Sequence, residues 1–210
     1  MNIFNGSPAL PFPGELSEHE RSRDDRELIA LFLRGDEASF SVLLDRHMPM
    51  VYRFAYRYLS NADDASDVTQ EAFIRAWKHI KKFDTSRSFK TWILAIAKNA
   101  ALDHIKKKKP VLFSQIESQE KDLDAVLAPH LAEEELPDAA FDRVSDARVL
   151  ESTLAKLPAP YRVVLALRYG EHLKFREIAD ILSEPIDTVK SKHRRGLMHL
   201  RKILPKTLLA

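Results

Sequence analysis

Cysteine is absent from this 210-residue chain, and glycine occurs only 5 times. Without cysteine there is no disulfide framework and no thiolate metal site, a composition that fits a reducing cytoplasm. Uninterrupted apolar runs of about 20 residues, the length a bilayer-spanning helix needs, are also missing, so no membrane insertion is expected. The opening stretch MNIFNGSPALPFPGELSEHE has neither a basic leader nor a long apolar centre and is not expected to act as a signal peptide. No alternating strand pattern and no repeat of fixed period occurs. Chemistry-bearing motifs are missing as well. The 8 histidines form no HExxH pair, His193 and His199 are poorly spaced for one helical face, and there is no phosphate loop or nucleophile–base set. An enzyme, a cofactor, a metal centre and a small-molecule substrate are therefore not expected.

What the chain does have is apolar content for packed cores, 45% of residues, and a charge that is small in sum (+2) but sharply segregated. From Ile74 to Lys109 there are eleven Lys/Arg against two acids, a net of +9. From Pro110 to Asp146 two bases face ten acids, a net of −8, and from Lys190 to Lys206 seven bases stand without an acid. This order predicts two cation-rich modules joined by an anionic tether.

Apolar spacing predicts helices throughout. Residues 1–23 are rich in Pro, Gly and Ser and are expected to be a disordered extension. A helix is expected from Asp24 to Gly35, a left-handed C-cap. A second, capped by Asp36, carries Phe40, Leu43 and Leu44, then Val51, Phe54, Tyr58 and Leu59, with Pro49 either kinking or dividing it. A third runs over 62–82, with Ala65, Val68, Ala72, Phe73, Ala76 and Ile80 on one face. Asp67, Glu71 and Lys78 lie opposite, with Ile74 among them. An isoleucine there is either an isolated surface apolar or part of a partner-binding face. After a loop at 83–88, a long helix from Phe89 to about Lys108 has Phe89, Ile93, Ile96, Ala97 and Ala100 on its inner stripe. Thr91, Ala95 and Lys98 line another face, with Trp92 and Asn99 at the boundary. Four cations close this helix, where the dipole favours them.

The acidic stretch 110–144 reads as a flexible linker. A second unit is expected from about Ser145, with Val149, Leu150, Leu154 and Leu157 in its core, then a helix after Pro158 that Gly170 caps. Its end is the most telling stretch: HLKFREIADILSEPIDTVKSKHRRGLMHLRKIL over 172–204. Phe175, Ile178, Ala179 and Leu182 give one helix an apolar face, and Ser183-Glu184-Pro185 breaks it. Asp187 or Thr188 is placed to cap a second helix that carries Lys190, Ser191, Lys192, Arg194 and Arg195 near its start. Two helices across a tight turn, the second basic, have the geometry that enters a DNA major groove. In the first module Arg87, Lys90 and Lys98 suit phosphates, while Phe83, Phe89 and Trp92 are either core or stacking faces for unpaired bases, with core favoured for Phe89. One reader of melted strand and one of duplex would suit promoter opening.

Three blocks, DDASDVTQEAFIRAWKHIKKF (63–83), SFKTWILAIAKNAALDHIKKKK (88–109) and LPAPYRVVLALRYGEHLKFREIADILSEPIDTVKSKHRRG (157–196), resemble in this order the bacterial RNA polymerase sigma factors of the extracytoplasmic-function type. The resemblance implies an all-α chain of two small helical domains joined by a flexible acidic linker, the second with a helix-turn-helix. Its domains are a region 2 domain over 24–109, a linker over 110–144 and a region 4 domain over 145–210. It implies binding to core polymerase through Asp63, Asp64, Asp67, Gln70, Glu71, Ile74 and Lys78. It implies recognition and melting of the minus-ten element by Phe83, Arg87, Lys90, Thr91, Trp92, Lys98 and Asn99. Thr188, Lys190, Ser191, Lys192, Arg194 and Arg195 would read the minus-thirty-five element. Core polymerase, promoter DNA and an anti-sigma factor are the partners it implies, and its place is the cytoplasm. Two departures stand out, since the family usually has glycine where Ser183 stands and often where Asp187 stands. A sigma mimic that sequesters another regulator is the rival reading, but both cationic modules are kept here. A one-component regulator would leave the first module without a task.

Overall fold

A computed structural model describes residues 23–108 and 153–203, and all regular structure among them is helical. The expectations that fall on 1–22, on the acidic linker, on Val149 and Leu150, and on the domain boundary near 145 lie outside the described residues.

Asp24 starts α1 (Asp25–Leu33) by accepting the Glu27 amide at 2.8 Å, and Gly35 ends the segment at φ +103°, a conformation glycine enters without a Cβ clash. Helix α2 (Glu37–Leu59) runs unbroken through Pro49. Of the two outcomes open at Pro49, division does not occur: Pro49 and Asp45, whose carbonyl loses its helical donor, are both exposed, so the break in bonding falls on the solvent side. Ser60, left-handed at φ 54°, closes α2, and Asn61 opens α3 (Ala62–His79) by accepting the Asp64 amide at 3.0 Å. A 3-10 turn at Ile80–Lys82 and the loop 83–88 lead into α4 (Phe89–Lys108).

In the second unit α5 (Ala159–Leu165) continues as a wide π turn, Ala166–Gly170. Gly170 is not the left-handed residue that its expected capping role requires. That conformation falls to His172, at φ 55°. Helix α6 (Phe175–Leu182) is opened by Glu177, whose carboxylate accepts the Lys174 amide at 2.7 Å, and ended by Ser183 at φ 57°, ψ 44°. Serine thus takes the left-handed position, at less than the roughly 1–2 kcal/mol typical of a non-glycine residue. Helix α7 (Ile186–Ile203) starts one residue after Pro185, so neither Asp187 nor Thr188 caps it. Asp187 lies instead in its first turn, where negative charge suits the dipole. Inside α7, Gly196 allows close contact with α5, because a Cβ there would meet Leu165 Cδ1 at 2.9 Å.

The two units pack directly on each other. One apolar cluster runs from Leu28, Phe54, Ile93 and Leu94 to Val164, Leu167, Ile178 and Ile181, and α6 lies against α4. Leu94 is fully buried although periodicity leaves it off the inner stripe. It stands one turn beyond Lys90, on the side of α4 that meets the second unit. At the junction Arg162, 9% exposed, donates to Arg57 O at 2.7 Å, Ser60 Oγ at 2.8 Å and Ala155 O at 3.1 Å. A cation thus closes the C-terminal end of α2, where carbonyls lack intrahelical donors. Burial pushes the Arg162 pKa down from its ordinary value.

Candidate nucleic-acid and partner interfaces

The polar face of α3 is built as its helical spacing predicts. Asp63, Asp67, Gln70, Glu71 and Lys78 are exposed, and Ile74 stands among them with 39% of its surface open. Trp77 beside it is 36% exposed. Between α3 and α4 lies a groove of about 260 Å³, lined by Asp67, Glu71, Arg75, Asp103, His104 and Lys107. Its walls are fixed by charge. Arg75 bridges Glu71 at 2.7 Å and Asp103 at 2.9 Å, while Asp64 pairs with Lys108 and lies 3.2 Å from His104. The Lys108 hydrogen bond, ahead of the one to His104, lowers the Asp64 pKa below its ordinary value. Asp64 therefore serves inside the chain, and the free part of the face is the line through Asp67, Gln70 and Ile74.

The loop 83–88 folds on Asp84, whose carboxylate accepts the Ser86 amide at 2.9 Å and whose carbonyl accepts the Arg87 amide at 3.0 Å. Arg87 is left exposed. Phe83 and Phe89 are 8% and 3% exposed, with their rings covered, as expected for Phe89. Phe83 forms a pedestal for Trp92 at 4.9 Å between centroids, and Phe89 supports the same ring at 5.7 Å. Trp92, half-buried, is the most exposed of the three rings. Thr91 is half-buried, and its Oγ1 is covered without a hydrogen-bond partner among the described residues.

Not all the predicted side chains share one face. Helical spacing puts Trp92 in line with exposed Asn99 and Thr91 in line with half-buried Lys98. Lys90 turns toward the second unit, where its ammonium donates to Glu171 O at 2.9 Å and lies 3.2 Å from Glu171 Oε2. Arg53 of α2 reaches the other carboxylate oxygen at 3.1 Å. Arg53 and Glu171 were not among the predicted residues. Isolated surface charges carry no periodic signal, and only the contact between units unites them.

On α7, Thr188, Lys190 and Arg194 are exposed, with Ser191 and Arg195 half-buried. Lys192 differs. It is 8% exposed, and its ammonium donates to Glu184 at 3.0 Å, tying α7 to the turn before it. Behind this surface the Tyr169 hydroxyl meets His193 Nε2 at 2.9 Å, and the Arg168 guanidinium lies 5.0 Å from the centre of the Phe175 ring. The helix-turn-helix thus has a braced back and a basic front.

Two families match the chain, Sigma-70 region 2 over residues 43–111 and Sigma-70 region 4 over residues 147–200. Among curated proteins, the ECF RNA polymerase sigma factor SigW of Bacillus subtilis (strain 168) is 36% identical over 171 residues, covering 81% of this chain and 91% of that protein. Among solved structures, CnrH in complex with the cytosolic domain of CnrY matches at TM-score 0.58 and 23% identity, over 85% of this chain and 96% of CnrH. The sigma factor RpoE in complex with the anti-sigma factor NepR from Bartonella quintana matches at TM-score 0.52 and 20% identity, over 78% of this chain and 95% of RpoE. These two likenesses bear on the fold.

Proposed function

The chain belongs to the extracytoplasmic-function sigma factors of RNA polymerase, and from that membership we propose how its own residues direct core polymerase to promoters and open them. The first unit, over 24–109, docks on core through the exposed line of Asp67, Gln70 and Ile74, with Asp63, Glu71 and Lys78 at its rim and Asp64 holding α3 to α4. An exposed isoleucine ringed by charge suits an apolar contact with a polar border. On α4, Trp92 meets an unpaired base of the minus-ten element, with exposed Asn99 beside it for polar contacts and Thr91, whose Oγ1 is covered, behind it. Phe83 acts by propping Trp92, and Arg87, Lys90 and Lys98 take phosphates. Stacking contributes roughly 1–3 kcal/mol per base and is open only to a strand already separated from its partner. The second unit, over 145–210, lays α7 in the major groove of the minus-thirty-five element. Thr188, Lys190, Ser191 and Arg194 face the DNA, Arg195 stands at the margin, and Lys192 holds the turn.

The chain acts as an initiation factor without catalytic residues of its own, in the cytoplasm. The anti-sigma partner named for the Bartonella structure supports the same kind of partner here. Membrane insertion plays no part in this reading, and no described helix is long and apolar enough to cross a bilayer.

Trp92 is the observation that carries the reading, a half-buried ring held up by two buried ones at the start of a cationic helix. The test pairs two variants with purified bacterial core polymerase. Trp92→Ala keeps co-purification with core but loses permanganate-reactive thymines at a promoter. Ile74→Glu loses co-purification. Unchanged melting by the first variant, or normal assembly of the second, removes the corresponding assignment.

A further inference from the structure

Glu171 is the least exposed partner in its ion-pair cluster. Its side chain is 10% exposed, against 46% for Arg53 and 31% for Lys90. Its two carboxylate oxygens are divided between cations from different helices, Arg53 of α2 at 3.1 Å and Lys90 of α4 at 3.2 Å. The turn that delivers it is costly in conformation. Glu171 follows the π turn and precedes His172, a non-glycine residue at φ 55°. Such conformations persist where surrounding structure enforces them, often at sites with a task. The backbone is pinned on either side by the Leu173 amide donating to Leu167 O at 3.1 Å and by Lys90 donating to Glu171 O at 2.9 Å.

Two cations gripping the two oxygens of one anion is also how a phosphodiester is held, since its two non-bridging oxygens carry the charge. We propose that Arg53 and Lys90 form a seat for a backbone phosphate of single-stranded promoter DNA, and that Glu171 fills this seat in the free chain as a carboxylate stand-in. The inference rests on the strand-opening role proposed for the first unit and adds Arg53 to it. Lys90 belongs to the same turn of α4 as Thr91 and Trp92, so a strand stacked on Trp92 has a phosphate within reach of this seat. While Glu171 is bound, the second unit covers the seat, and strand binding and docking of the second unit exclude each other. The free chain is thereby kept from gripping stray single strands, and release of the second unit uncovers the cations.

The test measures fluorescence anisotropy of the full chain with a labelled thymidine oligonucleotide of about a dozen nucleotides, within the length such surfaces cover. Glu171→Gln keeps shape and removes the charge, and binding is expected to tighten roughly 5–30-fold, the effect of losing two part-screened ion pairs. Glu37→Gln makes the same charge change at an exposed site on the first turn of α2 and is expected to stay near wild type. Adding Arg53→Gln to Glu171→Gln is expected to abolish the gain. An affinity of Glu171→Gln within about twofold of wild type, an equal gain in Glu37→Gln, or a gain that survives Arg53→Gln overturns the proposal. Matching far-UV ellipticity across the set confirms that each variant is folded. Wild-type chain with core on a promoter fragment runs in parallel. Failure to open any promoter there removes the strand-opening role and this inference with it, whereas opening without the Glu171→Gln gain removes this inference alone.

Discussion

Replacing Arg162 with methionine keeps most of the buried stem and removes only the guanidinium. Three hydrogen bonds disappear, to Arg57 O, Ser60 Oγ and Ala155 O. Hydrogen bonds from a charged donor are worth about 1.5–3 kcal/mol each, and carbonyls orphaned in a sealed junction add to the loss. Against this stands the relief of no longer burying a cation, several kcal/mol for a group that has no carboxylate partner among the described residues. The net is a loss of about 2–4 kcal/mol, which at a urea slope of about 1–3 kcal/mol per molar moves a midpoint by roughly 1–2 M. The loss falls on the junction, so the two units should cease to unfold together. Both tryptophans of the chain, Trp77 and Trp92, lie in the first unit. Tryptophan fluorescence therefore follows that unit alone, while far-UV circular dichroism follows both. Wild type should give coincident urea transitions by the two probes, and Arg162→Met should give a dichroism transition that starts earlier. Coincident transitions at an unshifted midpoint in the variant would refute the role given to this side chain.

Other positions test other parts of the structure. Gly196→Val should lower Tm by roughly 2–12 °C, since its side chain enters space held by Leu165 and overpacking costs about 1–3 kcal/mol; an unchanged calorimetric Tm contradicts the close approach. Burial raises the Asp25 pKa, but hydrogen bonds and charge from His47 (2.8 Å) and Arg46 outweigh it, leaving the pKa below its ordinary 3.8. The lowered folded value means that this carboxylate contributes stability above its unfolded pKa and loses it as pH falls through the folded one. Asp25→Asn should therefore be less stable at neutral pH but flatter in stability below about pH 4, and parallel acid limbs count against the pairing. On α7, Lys190→Met should reduce the salt slope of duplex binding by about 0.9, as for one lost phosphate contact. Lys192→Met should weaken binding through the loosened turn with the slope intact, and equal slopes lost by both variants would place Lys192 on the DNA.

Much of this fold is legible in one dimension. Helix α4 occupies Phe89–Lys108, as its stripe and terminal cations predict, and Asp24, Gly35, Ser60 and Asn61 mark ends by local chemistry that needs no tertiary partner. The misses share a cause. Periodicity treats each helix as having one inner face, so it leaves out Leu94, which is buried by a second unit against the other side of α4. It groups Lys192 with its basic neighbours, because nothing local distinguishes an ammonium tucked onto Glu184 from one in water. Of the two roles left open for Phe83, core or stacking face, the buried ring takes the first. The start of α7 departs from its expected cap for a different reason. Asp187 is a good cap by type, but Pro185 already permits helical geometry from the next residue onward, one turn position earlier. Ile74 stands out in the sequence because a lone apolar side chain in a polar stripe violates the pattern that defines the stripe, and the folded chain leaves it open to solvent.

The apolar cluster that spans both units changes what the acidic stretch between them has to do. Bodies that adhere through buried surface do not need a leash to stay joined; the leash only raises the local concentration at which they meet. A protease nick in that stretch would leave a two-piece assembly, not two separate products. Two polypeptides made apart, each carrying one body, could then find each other and rebuild the joint without a covalent bond between them.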